Sequence, residues 1–313
     1  MPKTPKRSKS LHLVDPELRP ILDVFSGFDV NVNELETLRG LSTSKPLNSP
    51  PFQEHYIQRE TEGEPLRVLV ITPKKAKARK RAGLLYMHGG GFVFGSPETI
   101  LPSVQKLAAD TGRVIVLPQY RLAPEFPFPA ALDDNLLALS WLHQNARKLN
   151  LDTSDIAIGG DSAGGSHASV LMAAVRGMDE LPVSKLFLIY PMLDNRTGQR
   201  GDVNMTGEFI WTAENNRFGW TSYLGAADDL TNGCIPARLK SLKGFPPTFI
   251  ATGSLDLFME ENICFIERLQ AAGITADIYM AEGAYHGFNV MVPSAKVSRE
   301  FHAACVRALN QPL

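Results

Sequence analysis

The chain has 313 residues, 44% of them hydrophobic, and a formal net charge of −1. That length supports a large core in one big α/β domain or two smaller ones, and the balanced charge gives no overall field favouring nucleic acid or an acidic surface. Apolar runs are strand-sized, so no membrane span is expected. Three widely spaced cysteines, Cys234, Cys264 and Cys305, without a CxxC pair, fit a reduced cytoplasmic setting.

The N-terminal "MPKTPKRSKS" is basic, but no apolar stretch follows it, so it does not read as a secretory signal. Residues up to about 50 are polar with short helical patterns, and "DPELRPILDVF" opens with an Asp-Pro helix start. "LRVLVITP" and "GLLYMHG" read as neighbouring strands. Between them "KKAKARKR", Lys74 to Arg81, reads as a solvated hairpin tip rather than a nucleic-acid patch, because the whole chain is not basic. "RVIVLP" is a strand. Residues 130–149 form a helix with Leu132, Leu136, Leu139 and Leu142 at helical spacing.

Strand "DIAIGG", helix 163–177, strand "SKLFLIYP", strand "PTFIATG", helix 258–272, strand "ADIYMAE" and helix 294–309 follow. Strands that are apolar throughout and alternate with helices imply an α/β fold: a mostly parallel central sheet with helices on both faces. Residues 195–245, rich in Asn, Gly and Thr and carrying Trp211 and Trp220, break the rhythm. The expected layout is an N-terminal cap segment over 1–50 and a catalytic domain over 51–313, with a cap insertion at about 195–230. No His, Cys and carboxylate cluster has metal-ligand spacing, and no repeat is present.

"GGDSAGG" places G-x-S-x-G at Gly160, Ser162 and Gly164, after a strand and before a helix. That is the setting of a nucleophile elbow, where a sharp turn lifts the serine hydroxyl above the sheet. The Ala163 N–H opens a helix, so it points at developing negative charge with the helix dipole behind it. A serine nucleophile needs a base, and the base needs an orienter. In "GAYHGF", His286 sits in a glycine-flanked loop after a strand, whereas His302 falls within a helix pattern. In "PTFIATGSLD", Asp256 directly follows a strand, while Glu260 and Glu261 fall inside the next helix. His167, five residues after Ser162, reads as packing or capping. "HGGGF" at 88–92 brings bare backbone N–H groups after an early strand, suited to binding a tetrahedral oxyanion; His88 reads as ordering that loop.

Taken together, "HGGGF", "YRLAPE" (120–125), "PFPAALDD" (127–134), "GGDSAGG", the late "LD" at 255–256 and "YHGF" (285–288) resemble the bacterial hormone-sensitive-lipase-like carboxylesterases of the α/β-hydrolase fold. The resemblance runs over roughly residues 65–310. It implies short-acyl carboxylesterase activity through an acyl-enzyme, a two-part helical cap, no cofactor, and frequent homodimers. It also makes Gly90 and Gly91 the loop donors beside Ala163. One departure is Asp256-Leu257-Phe258 where the family usually reads Asp-Pro-Leu. Plant gibberellin receptors share the fold but lack the catalytic histidine, so His286 argues against a non-catalytic receptor. An amidase, lactonase or carbamate hydrolase would use the same machinery, and the residues do not separate these from an esterase.

Overall fold

The computed structural model describes residues 8–25, 28–41, 46–59, 63–73, 80–199, 205–225 and 233–311. Eight strands form one sheet: β1 (Phe52–Ile57), β2 (Leu66–Ile71), β3 (Arg81–Met87), β4 (Val114–Pro118), β5 (Leu151–Asp161), β6 (Lys185–Ile189), β7 (Thr248–Gly253) and β8 (Ala276–Ala281). Their spatial order is β1-β2-β4-β3-β5-β6-β7-β8, with β1–β2 and β2–β4 antiparallel and every other pair parallel. β4, β6 and β7 are buried at every residue. A strand covered on both faces gains nothing from alternation, which is why these segments read as continuous apolar runs.

Helices α2 (Pro97–Thr111) and α8 (Lys296–Asn310) cover one face. There Ile100, Val104, Phe301 and Cys305 pack against Leu69, Ile115, Phe187 and Phe249. Helices α3 (Ala130–Gln144), α4 (Ala163–Val175) and α6 (Met259–Ala271) cover the other, with Leu139, Leu142, Leu171 and Phe265 in its core. A third apolar cluster lies outside both. It joins Val30 and Leu35, the latter opening α1 (Leu35–Leu41), to Phe92 and Val93 of the "HGGGF" loop. Trp211 and Trp220 also belong to it, Trp220 on α5 (Ala213–Leu224).

Three differences from the sequence reading have physical causes. The strands "LRVLVITP" and "GLLYMHG" are not neighbours. β3, α2 and β4 form a parallel crossover unit, so β4 takes the slot beside β3, and β2 pairs antiparallel with β4 in the register Val70↔Val116. The link between β2 and β3 therefore spans a strand and is not a tight hairpin; residues 74–79 of it lie outside the described residues. Helix α2 goes unanticipated because Pro97 and Pro102 interrupt its pattern. Pro97 sits at the first helical position, where no N–H is needed, and Ser96 and Thr99 close a capping box. The edge strand β1 was masked by its polar sequence, half of which faces solvent.

Asp134 of "PFPAALDD" ties α3 to the segments that carry Arg59 and Arg121. Its carboxylate accepts from Arg59 Nε at 2.8 Å and from the Arg121 backbone N–H at 2.8 Å. Burial opposes its charge, but the two arginines hold its carboxyl below the ordinary aspartate value.

Candidate active site

Strand β5 ends at Asp161, and Ser162 adopts φ +55° and ψ −121° before α4 begins at Ala163. A non-glycine residue there costs on the order of 1–3 kcal/mol and persists only where its surroundings enforce it. Here they do. Ser162 N–H donates to Ile189 O at 2.9 Å, and Met192 N–H donates to Ser162 O at 3.0 Å, which pins the turn to the end of β6. A Cβ at Gly164 would overlap the Met87 and His88 carbonyls, so only glycine lets α4 start this close to β3.

The acid and histidine turns are stitched to each other beyond β7 and β8. Ser254 N–H donates to Ala281 O, Leu255 N–H to Ala284 O, and Gly283 N–H to Ser254 Oγ, each at 2.9 Å. This holds Asp256 Oδ2 2.8 Å from His286 Nδ1. A carboxylate only accepts, so Nδ1 carries the proton and Nε2 is left as an acceptor. Nε2 stands 2.9 Å from Ser162 Oγ. Asp256 is fully buried, and its other oxygen accepts from Phe258 N–H at 2.9 Å. The departure Asp256-Leu257-Phe258 thus leaves the carboxylate doubly held, and the Phe258 ring stands edge-on to His286 at 5.2 Å.

The structure therefore brings Ser162, Asp256 and His286 together. Glu261 instead accepts from Leu193 N–H at 2.5 Å and from Thr197 Oγ1, and burial pushes its carboxyl well up. Glu260 is exposed on α6. His302 contacts Asp110 at 2.7 Å on the outer helices. His167 is packed among Phe92, Tyr120 and Tyr223, and burial lowers its pKa to about 3.

The glycine loop lies directly against the serine. A Cβ at Gly89 would come within 3.2 Å of Ser162 Cβ, and Gly89 N–H donates to Asp161 Oδ2 at 3.1 Å. Burial pushes the Asp161 carboxyl up to about 6, against the attraction of His286 and the Gly89 N–H. Gly90 and Gly91 have φ of +123° and +55°. Gly90 O closes the loop by accepting from Val93 and Phe94 N–H, both at 3.0 Å. The Gly90 and Gly91 N–H groups have no partner among the described residues. His88 Nδ1 is 2.7 Å from Gly89 O, and its ring stacks on Tyr120, whose hydroxyl donates to His88 O at 2.6 Å. Burial lowers the His88 pKa to about 4, so this ring is a neutral brace for the loop.

Among the described residues no group of His, Cys, Asp and Glu is placed to hold a metal ion, and no helix is long and apolar enough to cross a membrane. Sequence reasoning missed Trp211 as a neighbour of the loop: its six-membered ring occupies the space where Gly91 would carry a Cβ. The only signal was a bulky aromatic in a polar insertion.

Residues 84–290 match the family model described as the alpha/beta hydrolase fold. The chain is similar to carboxylesterase NlhH of Mycobacterium tuberculosis, 29% identical over 95% of this chain and 97% of that protein. It is similar to an ethyl acetate hydrolase of Pseudomonas putida, 30% identical over 77% of this chain and 76% of that protein. Among solved structures it is similar to a bacterial heroin esterase, with a TM-score of 0.85 and 29% identity over 96% of this chain and 98% of that one. The chain belongs to the α/β-hydrolase fold family, among its hormone-sensitive-lipase-like carboxylesterases.

Proposed function

We propose that this carboxylesterase hydrolyses short-acyl esters with Ser162 as nucleophile, His286 as base and acid, and Asp256 as orienter. The observation that carries the assignment is the continuous relay from Asp256 Oδ2 through His286 to Ser162 Oγ, at 2.8 and 2.9 Å. Ser162 Oγ attacks the ester carbonyl carbon while its proton passes to His286 Nε2. The carbonyl oxygen becomes an oxyanion, received by the N–H groups of Gly90, Gly91 and Ala163. Asp256 keeps the imidazole oriented and stabilises its charged form. The tetrahedral intermediate collapses, the C–O bond to the alcohol breaks, and His286 protonates the departing oxygen. Water, deprotonated by His286, attacks the acyl-serine, and collapse returns the proton to Ser162.

The preference for acyl chains of roughly two to eight carbons rests on the family resemblance and on a cap assembled from both extra segments, 1–50 and 195–230. Glu208 of the insertion accepts from Ser10 Oγ at 2.5 Å and from Lys9 N–H at 2.9 Å. Val30 N–H donates to Asn215 Oδ1 of α5 at 3.0 Å. These links among the described residues support reading the two segments as one cover over the glycine loop. We extend the proposal to a reducing cytoplasmic setting, supported by three free thiols, and to a homodimer, supported by the resemblance alone.

A p-nitrophenyl ester series from acetate to palmitate tests the reading. The expected result is a maximum of kcat/KM at or below eight carbons. Maximal turnover of palmitate, or none of any ester, refutes it.

A further inference from the structure

Trp211 follows Ile210, whose φ of +63° holds a β-branched residue in the left-handed region. It precedes Thr212, whose hydroxyl accepts from Asn215 N–H and caps α5. Between these constraints the indole turns inward and is 3% exposed. It lies against Gly91 in the glycine loop, with its ring centroid 6.4 Å from that of Phe94 and 6.2 Å from that of His286. Indole Nε1–H can only donate. It is buried and has no acceptor among the described residues, and buried donors are normally paired.

Among the described residues three aromatic rings stand near His286: Tyr190 at 4.6 Å, Phe258 at 5.2 Å and Trp211. The Tyr190 hydroxyl is already committed to Asn289 Oδ1 at 2.9 Å. Phe258 has no polar side-chain atom. Of the three, Trp211 alone carries an unused side-chain donor, on a ring whose centroid is 6.2 Å from that of the histidine that hands its proton to the leaving alcohol. We propose that Trp211 determines specificity for the alcohol half of the ester. Its Nε1–H donates a hydrogen bond to an oxygen within the leaving group, so esters of alkoxy- or hydroxy-alcohols are favoured over esters of plain alkanols of equal length.

The proposal rests on the ester-hydrolysis reading above, and the test separates the two. 2-Methoxyethyl acetate and n-butyl acetate have the same chain length and differ by an ether oxygen in place of a methylene. Their kcat/KM ratio is measured for the wild-type protein and for Trp211→Phe, which keeps an aromatic ring beside Gly91 and removes the donor. Comparing ratios cancels the intrinsic difference between the two leaving groups. One neutral hydrogen bond is worth about two- to twelvefold in such a ratio, so the methoxyethyl preference should fall by about twofold or more in the variant. A smaller change in the ratio, whatever happens to absolute activity, overturns the proposal and leaves the esterase reading standing. A folded wild-type protein that hydrolyses neither ester overturns both. If Trp211→Phe does not fold, 3-benzothienylalanine at position 211 exchanges N–H for sulfur within the same bicycle, and the same criterion applies.

Discussion

Ser162 and His286 are 124 positions apart in the chain, and their Oγ and Nε2 atoms are 2.9 Å apart. That contact exists because β5, β6, β7 and β8 are parallel neighbours that deliver their C-terminal loops to one edge of the sheet. Removing the hydroxyl should end the chemistry and spare the scaffold. Ser162→Ala is expected to lose ester turnover while its unfolding midpoint stays near wild type. A fluorophosphonate probe should label the wild type and leave the variant unlabelled. Normal labelling of the variant would remove Ser162 from the mechanism.

Asp256 and Glu261 are both buried carboxyl groups on either side of the α6 start, and they should fail differently. Asp256 meets His286, so Asp256→Asn should lower kcat on the order of 10⁴-fold by favouring the wrong imidazole tautomer. Glu261 meets Leu193, Asp194 and Thr197, so Glu261→Gln should shift the unfolding midpoint more than kcat. Exposed Glu260→Gln should change neither. Steady-state kinetics beside thermal melts of the three variants decide it, and near-normal kcat in Asp256→Asn would reverse the assignment.

The elbow, the histidine loop and the acid turn were legible because each chemistry needs a particular residue directly after an apolar strand, and both are local in sequence. The order of β2, β4 and β3 was not. It depends on where a crossover lands, which no pattern within either strand encodes. Helix α2 was obscured by Pro97 and Pro102, although its Ser96 cap was available to read. Trp211 against Gly91 is a contact between segments 120 positions apart, invisible to periodicity. The proposed cap was marked in the sequence only as a break in rhythm; the packing of Val30, Leu35, Trp211 and Trp220 with the glycine loop is long-range and has no local signal.

Gly91 combines positive φ with the Trp211 ring where a Cβ would go. Gly91→Ala therefore has to displace either the loop N–H or the indole. The loop donor is expected to move, and kcat should fall by about 100- to 1,000-fold, the usual cost of losing one oxyanion donor. KM should change far less. Stopped-flow acylation rates report the step directly; a KM effect with kcat preserved would mean that the indole yields and the donors stay in place.

Two of the buried histidines, His88 and His167, predict acid sensitivity. Burial lowers His88 to about 4 and His167 to about 3, from an ordinary value near 6.5. Between pH 6.5 and those values the unfolded chain binds protons that the folded one refuses, so stability falls as pH falls through that window. Asp161, pushed up to about 6, acts oppositely: its folded form holds an extra proton between pH 3.8 and 6, and stability falls there as pH rises. Glu261, also pushed up by burial, acts in the same sense as Asp161, so the histidine contribution is isolated by comparing a variant with wild type. His167→Leu removes one of the two histidines. From pH 6.5 to 4.5 it should lose about 2–3 kcal/mol less than wild type in urea unfolding. Equal losses would show that His167 does not drive the acid limb.

Arg39 is where the N-terminal segment grips the site. Its guanidinium donates to Val93 O at 2.9 Å and to Ala123 O at 3.0 Å, and it pairs with Glu125 at 2.8 Å. Val93 closes the glycine loop, so α1 bears directly on the backbone proposed to hold the oxyanion. The ion pair is partly exposed, and such pairs contribute little stability, about 0–1 kcal/mol. A segment that merely braces the fold would lose stability and activity in proportion when Arg39→Met cuts all three links. A segment that shapes the site would lose kcat/KM by tenfold or more for about 1 kcal/mol of stability, with the acyl-length profile altered, because the loop loses its clamp while the sheet and both cores stay intact. Unfolding curves and the p-nitrophenyl ester series on the same preparation separate the two. An Arg39→Met protein with wild-type kcat/KM and an unchanged acyl profile would reduce this part of the cap to a passive cover.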